Sequence, residues 1–503
     1  MVAFAYKTLY SLTMDRHYLA LDLGAESGRA ILAALAGHTV ELTELHRFPN
    51  TPVHLPTGWY WDTLRLFHEI CEGICIAQKA CDDLDGIAVD TWGVDFGLLD
   101  SHGELLHNPR HYRDRRTEGV PAEVFKTVPR AEVFRQTGVQ MMDINSLYHL
   151  YAIERDSPDT LQAASKLLFM PDLFNYFLTG VCASERTIAS TSQFYDPVKK
   201  RFATDMLRKL GITGGFFSEL VDPGTELGPI LPTIGGSCGF NRETVIYTSG
   251  SHDTASAVAA VPAAENESWC YISSGTWSLM GLELEEPVIN NAALEANCTN
   301  EVGVGGRIRL LKNIPGLWVL QECRRSWTQE GQELSYAELV ELAAAAKPTA
   351  TILDLDQFTG PGDHPRRICE FCRKTGQETP PDPGSITRVI LQSLAARYKQ
   401  VLEALEKLTN RSIDVIHIVG GGSQIRLLNQ FAADFTGRRV IAGPAEATAA
   451  GNALTQAIGT GDVNSLEHLR AIVRRSFQLE EFKPSKPSRP PNRRFEPAVC
   501  PSA

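Results

Sequence analysis

The segment Thr248–Val258 reads TSGSHDTASAV and sets one carboxylate, Asp253, among small residues. The apolar run before it (244–247, TVIY) has the composition of a short strand, and the small residues after it read as a helix start. A carboxylate in that position can cap the helix. It can equally take the proton from an alcohol that attacks a γ-phosphoryl group, with the little bulk around it leaving room for a polyol. His252 and Thr254 flank it as groups able to hold neighbouring hydroxyls. The residue types alone leave both roles open.

Three glycine-containing turns supply the complementary chemistry. In DLGAESGR (22–29) the amides of a hairpin turn can receive phosphate oxygens, and glycine permits close approach of a ligand. Arg29 adds a fixed charge there, and Asp22 at the strand end can orient a hydrated Mg²⁺. An ordinary hairpin with solvated Glu26 and Arg29 accounts for the same letters. SSGTW (273–277) offers hydroxyls and amides, or simply a tight turn with Trp277 in the core. VGGGS (419–423) leads from a strand into a helix, a place suited to an adenosine or an anion. No P-loop, G-x-G-x-x-G, H-E-x-x-H or G-x-S-x-G stands in a suitable context, so a nucleotide site must be assembled from turns such as these.

The elements that position these turns follow from periodicity. YLALDLGAESGRAILAAL (18–35) predicts a β-hairpin turning at Gly24 to Gly28, and 85–100 predicts a second strand–turn–strand with Asp90 ending one run and Gly93 in the turn. Residues 268–284 repeat the layout around SSGT. Residues 413–443 read as strand, three glycines, helix and strand. Apolar residues recur three and four apart over 386–409, and 446–460 forms a second helix ended by Gly459. Strands alternating with helices predict α/β layers. The hairpins at 18–35 and 268–284 lie half a chain apart and share a layout, which predicts two domains of related design split near 260–265. Residues 360–384 form a Pro/Gly-rich excursion in the second half.

At 503 residues the chain exceeds one core, and 43% apolar with 21% charged residues is ordinary for a globular protein. A net charge of −12 opposes non-specific binding to nucleic acid or anionic membrane. HYRDRR (111–116) and NRR (492–494) read as solvated exceptions. No run approaches the roughly 20 apolar residues of a membrane span, and the N-terminus lacks a convincing cleavage site, so no signal peptide and a cytoplasmic location are expected. Eleven cysteines, odd in number and scattered, predict reduced thiols rather than a disulfide framework. Cys369 and Cys372 form a single CxxC without the second ligand pair that zinc needs, and read as structural thiols.

DLGAESGR, DTWGVDF (90–96), YRDRRT (112–117), MPDLFNYFLTG (170–180), SHDTASAV (251–258), SSGTWSLMG (273–281), LKNIPGLWVLQ (311–321) and HIVGGGSQIRLLNQFAAD (417–434) together resemble the rhamnulokinases of the FGGY group of carbohydrate kinases. The resemblance covers roughly residues 17–480, with the motifs in order. It implies an α/β fold of two ribonuclease-H-like (actin-like ATPase) domains with a catalytic cleft between them, at 17–262 for sugar and phosphates and 263–482 for the nucleotide. An N-terminal extension (1–16) and a disordered Pro-rich tail (483–503) fall outside it. By the same resemblance Ala25, Glu26, Ser27, Gly28 and Arg29 bind the phosphates of ATP. Gly93, His252, Asp253 and Thr254 contact the sugar, with Asp253 as the catalytic base. Thr276, Asn313, Gln321 and Gly421 line the nucleotide site. Asp22 orients Mg²⁺ through water.

The implied activity is transfer of a phosphoryl group from ATP to O1 of L-rhamnulose, with domain closure excluding water. Glu26 departs from the expected small polar residue, since a carboxylate beside phosphates repels them. Asp114 and Arg116 look like motif residues, yet an ion pair at a helix start explains them equally well. Related kinases of L-fuculose, L-ribulose or xylulose share the same turns. A non-kinase actin-like ATPase would share the nucleotide cleft but have no need for His252, Asp253 and Thr254 beside a sugar-sized space. A silent sugar-binding regulator would need neither Asp253 nor both phosphate turns. No nucleic-acid or membrane partner is expected.

Overall fold

The computed structural model describes residues 15–81, 83–239 and 244–485. The expected N-terminal extension and Pro-rich tail lie outside these residues, apart from 15–16 and 483–485. The chain divides into two compact units. The first comprises residues up to Glu267 with Gly281–Asn313 and Gly443–Leu479, and the second comprises Ser268–Met280, Ile314–Ala442 and the residues from Glu480.

In the first unit β1 (Arg16–Leu23), β2 (Ser27–Ala36) and β3 (Thr39–Pro49) form an antiparallel meander. β4 (Gly86–Thr91) runs parallel to β1, and β6 (Val245–Tyr247) runs parallel to β4, with β5 (Glu226–Pro229) antiparallel beyond it. The sheet order is β5-β6-β4-β1-β2-β3. Alternation along β1 shows why it sits at the centre. Leu19, Leu21 and Leu23 share a buried cluster with Leu66, Ile70, Ile74 and Ala77 of α1 (Thr63–Ala80). Ala20 points the other way, with Ile31 of β2 and Ala449. A strand covered on both faces needs a continuous apolar run, which YLAL provides. The opposite layer holds α2 (Asp253–Ala259) and α3 (Ala447–Thr460).

The hairpin at 18–35 and the helices at 386–409 and 446–460 are present, the former helix as Pro383–Thr409. Two expectations need correction. Residues 85–100 are not a hairpin: β4 takes β1 as its partner, while Phe96–Leu99 pairs antiparallel with Lys166–Phe169. Between them Val94 holds a φ of 69°, rare for a β-branched residue, and donates its amide to Thr191 Oγ1 at 3.0 Å. Apolar runs either side of a glycine do not specify which strand each will join. Nor does Gly459 end α3. The helix continues to Thr460 and Gly461 adopts the left-handed C-cap, while a Cβ at Gly459 would stand 2.4 Å from the Gly224 carbonyl oxygen.

In the second unit Trp269–Ser274, Val415–Val419 and Arg439–Ala442 run parallel, and Glu480–Phe482 adds an antiparallel edge. The 413–443 segment is strand, glycine turn, helix (Arg426–Thr436) and strand as read from the sequence.

The cysteines differ from the all-thiol expectation. Cys75 of α1 and Cys238 are joined by a disulfide across 163 positions of sequence. Scattered spacing concealed a pair that tertiary packing brings together. Cys369 and Cys372 are unbonded. Among the described residues no helix is long and apolar enough to cross a membrane.

Candidate active site

The turn between β1 and β2 is tied down from behind. Gly24 donates its amide to the Ser27 carbonyl at 2.9 Å, and the buried Asn50 serves two further carbonyls of the turn. Its backbone amide reaches the Glu26 oxygen and its Nδ2 the Gly24 oxygen, each at 2.9 Å. Ala25 to Ser27 therefore form a short loop of set shape, with the Glu26 side chain exposed at its tip. Gly28 is required by packing: a Cβ there would lie 2.2 Å from the Phe48 ring. The Arg29 guanidinium does not stand alone as a phosphate charge. It bridges Asp22 and Glu446. Burial alone would weaken its charge, but these two carboxylates more than offset that and raise its pKa.

The parallel strands deliver three carboxylates. Asp22 and Asp90 occupy the same rung at the ends of β1 and β4. Asp90 Oδ2 accepts from Asn452 Nδ2 at 2.6 Å, and Asn452 Oδ1 accepts from Gln456, which also reaches the Leu19 carbonyl. Asp90 Oδ1 is buried with no hydrogen-bond partner among the described residues. Burial and the neighbouring Asp22 push this carboxyl well above the usual range.

β6 leads into Ser249–His252, where the Thr91 amide donates to the Ser251 carbonyl at 3.0 Å. His252 is the N-cap residue of α2 and Asp253 its first residue, so Asp253 is not the cap. The donors at Asp253 converge on one oxygen. Oδ1 takes the Thr254 amide at 2.5 Å and the Thr254 hydroxyl at 3.1 Å, and His252 Nε2 lies 3.4 Å away. Oδ2 has no such partner among the described residues. Burial raises this carboxyl above its ordinary value; His252 opposes the shift and Asp22 adds to it. Gly93 follows β4, its Cβ position 3.2 Å from the Thr191 side chain.

The small residues after Asp253 have another cause than open space. Ala255, Ser256, Ala257 and Val258 are buried, and a Cβ at Gly451 of α3 would fall 1.8 Å from the Ser256 carbonyl oxygen. Smallness here lets two helices meet backbone to backbone. It does not by itself make room for a ligand.

In the second unit the other three glycine-associated residues come together. Gln321 Nε2 donates to Thr276 Oγ1 at 3.2 Å, and the Gly316 and Trp318 amides both reach the Thr276 carbonyl at 3.1 Å. A Cβ at Gly422 would stand 2.0 Å from Ser274 Oγ, whereas one at Gly421 would meet nothing within 4 Å. Gln321, on the helix Trp318–Gln329, thus meets Thr276, and the turn that holds Gly421 packs through Gly422 on Ser274, two residues before it. Asn313 belongs to the first unit, where its amide and Nδ2 donate to Gln140 Oε1 at 2.9 and 3.2 Å.

Several supporting residues escaped the sequence reading. Glu185 Oε2 accepts the Ser251 amide at 3.3 Å, and Thr187 Oγ1 the His252 amide at 3.1 Å. Asp95 Oδ2 gathers Trp61 Nε1, Trp92 Nε1 and the Tyr112 amide at 2.6, 2.8 and 3.2 Å. Its burial outweighs these donors and lifts the carboxyl to about 7. Polar letters inside DTWGVDF were a signal for Asp90 and Asp95; nothing local marked Asn50, Glu185 or Asn452. Asp114 and Arg116 do not pair with each other through their side chains. Asp114 accepts the Trp59 amide at 2.6 Å and lies 3.3 Å from Arg110, and Arg116 donates to His149 at 2.9 Å.

Comparison with known proteins divides the chain once in sequence, whereas the two compact units interleave. Residues 17–260 match the N-terminal domain, and 270–460 the C-terminal domain, of the FGGY family of carbohydrate kinases. The chain is 42% identical over 473 residues to a rhamnulokinase of Bacteroides thetaiotaomicron, covering 94% of this chain and 96% of that protein. It is 36% identical to a rhamnulokinase of Oceanobacillus iheyensis, covering 93% and 98%. Among solved structures it resembles gluconate kinase from Lactobacillus acidophilus, with a TM-score of 0.76, 15% identity and 94% of each chain covered. Xylulose kinase from Rhodospirillum rubrum gives 0.74 at 20% identity, covering 93% and 94%. These structures share the two-domain α/β kinase fold.

Proposed function

The chain belongs to the FGGY family of carbohydrate kinases, and on that footing we propose that it transfers the γ-phosphoryl group of ATP to O1 of L-rhamnulose. The product is L-rhamnulose 1-phosphate, formed in the cytoplasm during the breakdown of L-rhamnose. The likeness to rhamnulokinases at 36 and 42% identity supports the choice of sugar. One observation carries the chemistry: Asp253 has its donors on Oδ1 and leaves Oδ2 to a substrate.

In this reading Asp253 Oδ2 accepts the proton of the C1 hydroxyl as that oxygen attacks phosphorus. Burial raises the carboxyl above its ordinary value, which strengthens it as a proton acceptor. His252, Thr254 and Gly93 hold neighbouring sugar hydroxyls. The loop Ala25 to Gly28 receives phosphate oxygens on backbone amides, and the exposed Glu26 contributes main chain rather than side chain. Arg29, held between Asp22 and Glu446, adds its charge to the phosphate site and sets the orientation of Asp22. Thr276, Asn313, Gln321 and Gly421 serve the nucleotide, the open space beside Gly421 admitting a flat ring. Mg²⁺ fits the rung of Asp22 and Asp90, where a buried carboxylate oxygen lacks a partner. Bound there, the ion would neutralise phosphate charge.

The test is Asp253→Asn, which keeps size and removes basicity. Turnover of L-rhamnulose should fall about 10²–10⁴-fold, while nucleotide binding and thermal melting stay near wild type. Near-normal phosphorylation by the folded variant would sink the assignment.

A further inference from the structure

His252 is held from its far side by two charged residues. Arg309 is fully buried and Glu301 nearly so, on the paired strands Ile308–Pro315 and Thr299–Val302. Glu301 Oε2 lies 3.2 Å from His252 Nδ1 and 3.1 Å from Arg309 Nη2, and Nη2 lies 3.1 Å from Nδ1. Arg309 also points Nε and Nη2 at the Val302 carbonyl, at 3.2 and 3.1 Å. A Cβ at Gly303 would come within 3.3 Å of the Arg309 side chain, so the backbone is shaped around it.

Two arrangements of hydrogens fit the triangle. If Nδ1 carries a hydrogen, it donates to Glu301, and Arg309 Nε and Nη2 serve Val302 and Glu301. If Nδ1 is a bare acceptor, Nε covers Val302 while the two Nη2 hydrogens cover Glu301 and Nδ1, and Nε2 carries the hydrogen that faces Asp253 Oδ1 at 3.4 Å. In either arrangement Glu301 and Arg309 fix the ring from its Nδ1 side. Burial works against the Glu301 charge, but Arg309 and His252 hold its carboxyl below the usual range. Arg309 Nη1 is nonetheless buried with no partner among the described residues. A core built for stability alone would not retain a desolvated cation with an unmatched donor.

We infer that Glu301 and Arg309 are positioning residues for sugar binding: they hold the His252 ring from its Nδ1 side, so that Nε2 is presented beside Asp253 to a sugar hydroxyl. Glu301 is the common acceptor and Arg309 balances its charge. The inference rests on the reading of His252 as a sugar contact, and the state of its ring is measurable without turnover. A ketose lacking the matched hydroxyl leaves Nε2 without that partner.

The experiment combines two measurements on the full chain. Long-range ¹H–¹⁵N spectra of histidine-labelled protein, with His252 assigned by its loss in His252→Asn, should show the His252 ring signals move when L-rhamnulose is added to wild type and shift in Glu301→Gln. His252 signals unmoved by saturating sugar would overturn the inference even if no variant folds. In kinetics, Glu301→Gln should raise KM for L-rhamnulose about tenfold or more, with KM for ATP within about twofold. In the His252→Asn background the same substitution should cost less than about twofold. An equal cost in both backgrounds would mean that Glu301 acts only on the fold, and would defeat the inference. Asp253→Asn reports separately: if it keeps turnover while the Glu301–His252 coupling holds, the base assignment fails and the positioning role stands.

Discussion

Gly451 of α3 lies directly on Ser256 of α2, so close that a Cβ would stand 1.8 Å from the Ser256 carbonyl oxygen. Asp253 begins the helix that this contact seats. Gly451→Ala must therefore push α2 and α3 apart. We expect a loss of about 1–3 kcal/mol in stability and a fall in turnover beyond the change in folded fraction. Thermal melting and kcat measured together check this. An unchanged kcat in a destabilised variant would separate helix seating from catalysis.

Asn50 is the tether of the turn proposed to receive the phosphates. Asn50→Ala removes the bond from Nδ2 to the Gly24 carbonyl and keeps the backbone bond to Glu26. KM for ATP should rise several-fold, in line with roughly 1 kcal/mol for such a bond. KM for the sugar should hold. Equal changes in both constants would argue that the side chain supports the fold generally rather than this turn.

Asp95 gives the stability a pH dependence with a defined sign. Its folded carboxyl is pushed up to about 7 by burial, above the ordinary 3.8. The folded state then holds a proton that the unfolded chain releases. The stabilisation is complete below about pH 4 and is lost as pH rises through about 7. The difference converts to at most roughly 4 kcal/mol. Asp95→Asn keeps an oxygen for the Trp61, Trp92 and Tyr112 donors and cannot titrate. Melting from pH 5 to 8 should fall less steeply in the variant. Glu185, also lifted to about 7, leaves a residual slope. Parallel curves for the two proteins would contradict the assignment.

The Cys75–Cys238 disulfide closes a long stretch of chain. In the chain-entropy account, a loop spanning 163 positions is worth roughly 5 kcal/mol. Reductant should lower the melting temperature of wild type and leave the Cys75→Ala/Cys238→Ala variant unmoved. Equal insensitivity in both would show that the bond contributes nothing in solution.

Much of the site was legible locally. The β1–β2 hairpin, the glycine turns at 273–277 and 419–423, and the carboxylate at a helix start are short-range patterns. Chain chemistry over a few residues decides them, because turn geometry and strand alternation are local. The order of motifs likewise pointed to the family that the comparisons bear out.

Long-range pairing was not legible. Nothing near residue 90 says that β4 will lie beside β1 and set Asp90 on the rung of Asp22, nor that Phe96–Leu99 will leave for a strand some 70 residues on. Asn50, Glu446 and Asn452 look like any surface polar letter until the fold brings them to Gly24, Arg29 and Asp90. The small residues around Asp253 invite a reading as ligand space, and the structure gives them to a helix contact. The sequence by itself determined the turns, the candidate base and the family. Only tertiary structure decided which buried groups share a proton, a hydrogen bond or a charge, because those energies depend on distances between residues that the chain order leaves far apart.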